Sequence, residues 1–272
     1  MDQDCRRAGR AAGPRWRSRR RWRLAVSSVE LSPARRALIV RRFRAEDRSD
    51  SALPDCHPDL CRRAAVDTAA LDWDASPSGT VWRKPLYRTG GEHGPVTSLV
   101  RYAPGGSFRP HAHPEGEEIL VLDGVFADEH GDYPAGTYLL NPDGSRHAPR
   151  SGAGCLLFVR LRQYPGANRP QIVLDTTAGA WAAGPAPGIE NQLLYAQAGY
   201  PERMRLERWA PGASRPRPGL AGGEEILVLE GELGDEDGVC GPGGWLRYPA
   251  GDAGRFRSTT GCRLYVRLGG LG

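Results

Sequence analysis

A repeat with a fixed spacing is the feature of this sequence that most restricts its fold. The segment EEILVLDG at 117–124 returns as EEILVLEG at 224–231, which is an offset of 107 residues. The same offset carries RYAPG at 101–105 onto RWAPG at 208–212. Self-similarity on this scale means that one structural unit occurs twice along the chain. We therefore expect two tandem domains built on one plan.

Each copy has the pattern of a series of short strands. TSLVRYA, EEILVLDG, GTYLLNP and CLLFVRL are rich in strand-forming residues, and Gly, Pro, Asp and Asn separate them. The 36 glycines and 23 prolines of the 272-residue chain also favour strands joined by tight turns. Many short antiparallel strands are typical of a sandwich or a jelly-roll barrel. The sequence predicts an all-β fold with two tandem barrels, at 66–168 and 169–272.

Residues 1–65 differ in composition from the rest of the chain. They hold 17 arginines against 8 acidic residues, and their hydrophobic periodicity is weak. We expect a basic extension that is disordered or partly helical. An alternative is an arm for nucleic acid or an acidic partner, because arginines interleaved with Trp16 and Trp22 suit phosphates and bases. The excess charge lies outside the barrels, so nucleic acid is not the expected ligand of the folded body.

The cysteines and the hydropathy pattern favour a cytoplasmic protein. Six cysteines are few for this length and lack the dense spacing of disulfide-rich secreted domains. No run of eighteen apolar residues occurs, so we expect no transmembrane helix and no membrane association. The segment SRRRWRLAVSSVEL resembles a twin-arginine export signal, but polar residues interrupt its apolar run. Cys56, His57 and Cys61 could form half of a zinc site, although incidental cysteines are the simpler interpretation.

The first copy carries histidines in a pattern suited to a metal ion. In RPHAHPEGEEI, His111 and His113 are two residues apart, which places both imidazoles on one face of an extended strand. Glu117 follows a turn, and His147 lies far enough along the chain for two strands to return it to the same place. Three imidazoles and one carboxylate suit Zn²⁺, Fe²⁺, Mn²⁺, Ni²⁺ or Cu²⁺. We predict that these four side chains bind one divalent transition metal ion.

These motifs resemble those of a known family. The H-x-H-x-x-x-E pattern, followed by GVF, PAGTY, NPDGSRH and a closing GC, is similar to the cupin superfamily and specifically to the cupin domain of ChrR anti-sigma factors. The resemblance covers about residues 80–162 and, more loosely, 190–271. It implies two tandem cupin domains, a zinc ion on the four residues named above and a sigma factor as partner. ChrR proteins also have an N-terminal helical zinc domain with a C-x-x-C pair, which residues 1–65 lack.

The second copy lacks most of the predicted metal ligands. At the offset of 107, the positions that correspond to the four ligands are, in order, Pro218, Leu220, Glu224 and Gly254. One carboxylate does not suffice for a transition metal, so we expect a degenerate second barrel. Cys155 and Cys262 also correspond. A thiol that is kept where the ligands are lost is more simply a buried packing residue than a redox group.

Two functions fit these observations best. By resemblance, the chain is a sensor or regulatory module in which metal occupancy alters contacts with a protein partner. The alternative is a metal-dependent dioxygenase or related oxidoreductase that acts on a small organic substrate, and a purely structural metal is a third interpretation. Glu118, Tyr138 and Arg146 are the available acid–base candidates, but none is assigned a catalytic role. A small-molecule ligand and a homodimer are both compatible with open barrels.

Overall fold

The computed structural model describes residues 54–271, which form the two jelly-roll barrels that the repeat predicts. The predicted all-β class is confirmed, because the helical segments of this part are two short 3-10 turns, Thr68–Ala70 and Gly91–His93. None of its helices has the length and apolarity needed to cross a bilayer. The basic segment with Trp16 and Trp22, and the twin-arginine-like sequence, lie outside the described residues.

The strands follow the repeat along the chain. Those up to the end of the first copy are β1 (Ala64–Asp67), β2 (Asp74–Ala75), β3 (Val81–Arg88), β4 (Val96–Tyr102), β5 (Gly106–Ser107), β6 (His111–Ala112), β7 (Glu117–Ala127), β8 (Asp132–Pro134), β9 (Thr137–Asn141), β10 (Arg146–His147), β11 (Arg150–Ser151) and β12 (Cys155–Leu161). Those of the second copy are β13 (Ile172–Asp175), β14 (Ala182–Ala183), β15 (Ile189–Ala196), β16 (Arg203–Trp209), β17 (Ser214–Pro218), β18 (Glu224–Gly231), β19 (Leu233–Gly234), β20 (Val239–Cys240), β21 (Gly244–Tyr248), β22 (Ala253–Arg257) and β23 (Cys262–Leu268).

Each barrel combines a large sheet with a small one. In the first barrel the large sheet has the order β13-β9-β7-β12-β4-β3-β2, with β5, β8 and β11 attached, and β6 pairs with β10. In the second barrel the large sheet has the order β1-β21-β18-β23-β16-β15-β14, and the small sheet has the order β17-β22-β19-β20. The two large sheets share one strand order, as the sequence repeat requires.

The two copies exchange their first strands. β1 lies antiparallel to β21 in the second barrel, and β13 lies antiparallel to β9 in the first barrel. Both pairings cover an exposed sheet edge and satisfy its backbone groups. The predicted division of the chain after residues 65 and 168 is thus crossed by strand pairing, since Ala64–Asp67 joins the second barrel and Ile172–Asp175 joins the first.

Residues 54–65 are ordered against the barrels. The backbone amides of Cys56 and Arg88 each donate to the other residue's carbonyl at 2.9 Å. Arg63 Nη2 lies 2.6 Å from the buried carboxylate oxygen Oδ2 of Asp235 in the second barrel. The prediction of a disordered extension is thus wrong for this part, because its order comes from long-range pairing that local composition does not reveal.

Three apolar cores stabilise the molecule. One fills the first barrel, around Ile119 and Leu157, and one fills the second, around Ile226 and Leu264. The third lies between the barrels and is built from both copies. Its residues at corresponding positions form the pairs Leu99 and Leu206, Leu120 and Leu227, Tyr138 and Trp245, and Phe158 and Tyr265. Tyr138 is fully buried there, which excludes it as an acid–base group of the predicted metal site.

A buried network of charges also joins the barrels. Arg160 Nη1 lies 2.8 Å from Glu118 Oε2, and Arg160 Nη2 lies 2.7 Å from Glu225 Oε1. Tyr265 donates its hydroxyl to Glu118, and Trp245 Nε1 donates to Glu225 at 2.6 Å. Burial raises the pKa of Glu118, but Arg160 and the tyrosine hydroxyls outweigh it and hold the pKa below its ordinary value. Glu118 therefore has a structural role.

We predict that Glu118→Gln destabilises the protein by about 3 kcal/mol, because it leaves Arg160 with one fewer buried counter-charge. Glu230→Gln is the matched control, since Glu230 pairs with Arg263 but is 69% exposed. That change should cost less than about 1 kcal/mol. Urea unfolding followed by tryptophan fluorescence measures both, and equal effects of the two substitutions would contradict the structural role of the network.

Candidate metal centre

Short strands and turns at one end of the first barrel bring the predicted ligands together. His111 on β6 lies directly opposite His147 on β10. His113 follows β6, and its backbone amide donates to Ser145 O at 2.9 Å, which ties it to the segment that leads into β10. Glu117 is the first residue of β7. The side chains of His111 and His113 thus lie on one face of the extended segment, as their two-residue spacing predicts.

The three imidazoles are in mutual contact. The ring centroids of His111 and His113 are 4.7 Å apart, those of His113 and His147 are 4.7 Å apart, and those of His111 and His147 are 5.3 Å apart. One ligand nitrogen of each ring lies within 4.8 Å of the others. His113 and His147 are buried, whereas His111 is partly exposed. The cluster is therefore accessible from the His111 side.

Glu117 borders this cluster with a buried carboxylate. Its Oε2 lies 3.4 Å from His113 Nε2 and 3.7 Å from His147 Nε2. With metal–ligand bonds of about 2.0–2.2 Å, neighbouring ligand atoms are separated by about 3.0–3.6 Å, so the spacing from His113 suits a shared ion and that from His147 is slightly longer. Asn141 Nδ2 donates to the same oxygen at 3.0 Å and orients the carboxylate. All four predicted side chains therefore lie at one place.

The surrounding hydrogen bonds orient the rings for metal binding. His111 Nδ1 lies 2.9 Å from the carbonyl oxygen of Arg109, and His147 Nδ1 lies 3.2 Å from Asp128 Oδ2. Because both partners are acceptors, Nδ1 carries the proton and the lone pair remains on Nε2. His113 Nε2 is buried and has no hydrogen-bond partner among the described residues. A metal ion bound between this nitrogen and the nearby carboxylate would satisfy both groups. The residues present therefore fit a metal ion.

Burial controls the charge of these side chains. It raises the pKa of Glu117 to about 8, against the opposing effects of Asn141 and Arg83. It also lowers the pKa of His113 to about 3, with the neighbouring His147 and His111 adding to the shift. His113 is therefore held in the neutral form that binds metals, and burial lowers the pKa of His147 in the same direction. A cation between these groups would compensate the buried carboxylate.

Other residues that the sequence singled out do not join this cluster. Arg146 is exposed, and Glu118 faces the other barrel. Among the described residues, His111, His113 and His147 form the cluster of potential metal ligands. Cys56, His57 and Cys61 form no cluster of this kind there. The sequence interpretation missed Asp128 and Asn141, which hold ligands in place. Asn141 could have been found, because its alternation along β9 places it opposite Glu117.

Comparison with known proteins decides the family. The model of the ChrR cupin-like domain matches the chain twice, at residues 61–165 and 169–271. The chain belongs to the ChrR cupin-like family. This confirms the tandem cupin architecture, and the two matches correspond to the two barrels. No match is found among curated protein sequences.

Solved structures share the bicupin fold at low sequence identity. A proposed dioxygenase from Nostoc punctiforme is 16% identical, with a TM-score of 0.63 over 79% of this chain and 83% of the other. A proposed glyoxylate-induced protein from Pseudomonas aeruginosa is 14% identical, with a TM-score of 0.62 over 81% and 91%. Pirin from Escherichia coli, in complex with nickel(II), is 13% identical, with a TM-score of 0.57 over 76% and 98%. These likenesses show the fold.

The second cupin barrel has a different residue at the position of His111. In the first barrel His111 lies opposite His147, but in the second Arg217, not Pro218, lies opposite Gly254. The expected gapless correspondence is therefore wrong at this strand, because the pairing of β17 with β22 is shifted by one residue. The match of His113 with Leu220 holds, since the carbonyls of both accept from a glycine amide at 3.0 Å at corresponding places.

Arginines supply the positive charge in the second barrel. Arg215 forms an ion pair with Glu224, the counterpart of Glu117. Arg217 Nη2 lies 2.7 Å from Asp252 Oδ1 and 3.3 Å from Glu236 Oε2. A Cβ added at Gly254 would lie 2.6 Å from Arg217 Nη2, so this side chain takes the space in which the counterpart of His147 would begin. The second barrel is thus closed to a metal ion by its own cations.

The buried cysteines pack in the apolar cores of the two barrels. Burial raises the pKa of Cys155 to about 11 and the pKa of Cys262 to about 12, so both stay as thiols at neutral pH. Cys240 is also buried, and its pKa is raised to about 12. These values agree with the packing role that the sequence predicts for Cys155 and Cys262.

We expect these three thiols to resist iodoacetamide at pH 8 in the native protein, because only the thiolate reacts and its fraction is small below the raised pKa. Reactivity should increase as the pH approaches 11. Peptide mass spectrometry measures the labelling, with urea-unfolded protein as the control in which all three react. Rapid labelling of native Cys155 at pH 8 would contradict this.

Proposed function

We propose that the first cupin barrel binds one divalent transition metal ion through His111, His113, His147 and Glu117, and that the ion binds a small organic ligand from solvent. The observation that carries this proposal is the asymmetry of the cluster. Three of its side chains are buried, while His111 is partly exposed. Protein ligands that lie on one side of an ion leave coordination positions on the other side for a substrate.

The chemistry that suits this centre is that of a metal-dependent oxidoreductase of the dioxygenase type. A bound ion supplies Lewis acidity and, for iron, manganese or nickel, redox chemistry. Zinc is the metal that the ChrR resemblance implies. The chain's own residues orient two of the three imidazoles, His111 through Arg109 O and His147 through Asp128. Phe108 packs against His111 with centroids 5.5 Å apart, and Phe126 packs against His147 with centroids 5.9 Å apart, which limits the access of water.

Regulation is the second candidate function, and family membership favours it. The ordered segment before β1 joins the basic N-terminal region to the second barrel through Arg63 and Asp235. A protein partner held by that region would therefore be attached to the barrels by a fixed link. In this proposal the partner is a sigma factor, and metal occupancy in the first barrel alters the contact.

We predict that the wild-type protein, purified without added metal, holds about one transition metal ion per chain. His113→Ala and Glu117→Ala should each weaken metal binding by at least about 100-fold, since each removes a direct ligand. His130→Ala is the control, because His130 is exposed on the same barrel. Elemental analysis by mass spectrometry measures the content, and full metal in both ligand variants would overturn the proposed centre.

The metal-loaded protein then separates the two functions. Oxygen uptake with a small diketone or thiol, lost in His113→Ala, supports the dioxygenase. Tight zinc, no oxygen uptake and a co-purifying sigma factor support the regulator and contradict the enzyme.

A further inference from the structure

Strand β3 carries two arginines on the face that lines the first barrel. Arg83 lies opposite Val100, a residue of that barrel's core, and Arg88 lies opposite Val96 on the same face. Arg88 is 7% exposed, and Arg83 is partly buried. Guanidinium groups stay charged in proteins, so burial of two of them demands compensation.

Neither arginine has a direct ion pair among the side chains that the structure describes. No carboxylate among them contacts either guanidinium, and the buried Nε of Arg88 has no hydrogen-bond partner there. Burial lowers the pKa of Arg83, and the like charge of Arg88 lowers it further, while Tyr102 and Glu117 oppose the shift. The two charges therefore lie close enough to repel each other, which is unfavourable without an anion between or beside them.

Arg83 lies next to the proposed metal centre. Its Cζ is 5.7 Å from the ring centroid of Phe108, and the Phe108 ring is itself 5.5 Å from that of His111. Glu117 is close enough to influence Arg83, as its effect on the arginine's pKa shows. The arginine and the histidines are therefore neighbours, with Phe108 between Arg83 and His111.

The second barrel provides an internal comparison. The residues that take the places of Arg83 and Arg88, opposite Glu207 and Arg203, are Asn191 and Ala196. The barrel that lacks the histidines thus also lacks both arginines. At the place that corresponds to the metal centre, the second barrel's arginines are paired with carboxylates: Arg215 with Glu224, and Arg217 with Asp252. Arg247 and Arg267 of the second copy are also buried without an ion pair, but they lie over the aromatic rings of Tyr87, Trp245 and Tyr164. Of the two corresponding ligand sites, only the one with the histidines thus has arginines nearby that lack a carboxylate partner among the described side chains.

We propose that Arg83 and Arg88 bind the carboxylate of a small anionic ligand whose second oxygen donor reaches the metal ion. This inference rests on the proposed metal centre and names its ligand class. A planar guanidinium pairs with a carboxylate through two parallel hydrogen bonds, which fixes the orientation of the ligand as well as its charge. The ligand is thus a short dicarboxylate or a carboxylate with an adjacent oxygen, and neutral molecules of the same size bind weakly.

The test uses full-length protein loaded with Co²⁺, whose visible spectrum reports on its ligands. Malonate is the probe, and malonamide is its neutral counterpart. Malonate should change the spectrum of the wild type at lower concentration than malonamide. Arg83→Gln and Arg88→Gln should each raise the apparent Kd for malonate about tenfold or more, because each removes a charged hydrogen-bond donor. Cobalt content should stay near the wild-type value.

Arg101→Gln is the matched control, since Arg101 lies exposed on β4 of the same sheet and contacts Trp73 and Trp82 instead. It should change the Kd for malonate less than twofold. Cobalt-loaded protein that binds malonate no better than malonamide, or equally well in Arg83→Gln and Arg88→Gln, overturns the anion site alone. Wild-type protein that binds no cobalt overturns the metal centre, and the anion site with it. The two failures are therefore distinguishable.

Discussion

A buried carboxylate at the same place in both barrels is the constraint on which the two sites depend. Glu117 and Glu224 begin corresponding strands, and each is less than a tenth exposed. A carboxylate in such surroundings needs a positive charge or a proton. In the second barrel Arg215 supplies that charge from within the chain. In the first barrel three imidazoles surround the same position, and an external cation would supply the charge.

This difference separates the scaffold from the site. The two barrels share strand order, an apolar core between them and the exchange of their first strands. The buried contacts of Arg160 with Glu118 and Glu225 join one copy to the other. None of these features needs a metal ion. The second barrel therefore supports the first and closes its sheet, while the ligand chemistry is confined to the barrel with the histidines.

Much of this could be predicted from the sequence, because the repeat and the histidine spacing are local patterns. The strands, the tandem barrels and the convergence of His111, His113, Glu117 and His147 follow from such patterns. Strand exchange and the order of residues 54–65 could not be predicted, since both depend on pairing between distant segments. The position of Arg217 opposite Gly254 was also missed. The sequence repeat keeps its offset of 107 on both sides of this strand, so it does not reveal a one-residue shift in strand pairing.

Anomalous diffraction from crystals of the protein grown without added metal tests the central claim most directly. Data collected at the absorption edge of the metal found by elemental analysis locate the ion independently of any assumed coordination. The account predicts one anomalous peak per chain, within bonding distance of His111, His113 and His147 and beside Glu117, and no peak beside Glu224. A peak beside Glu224, or a peak remote from the three histidines, would contradict it.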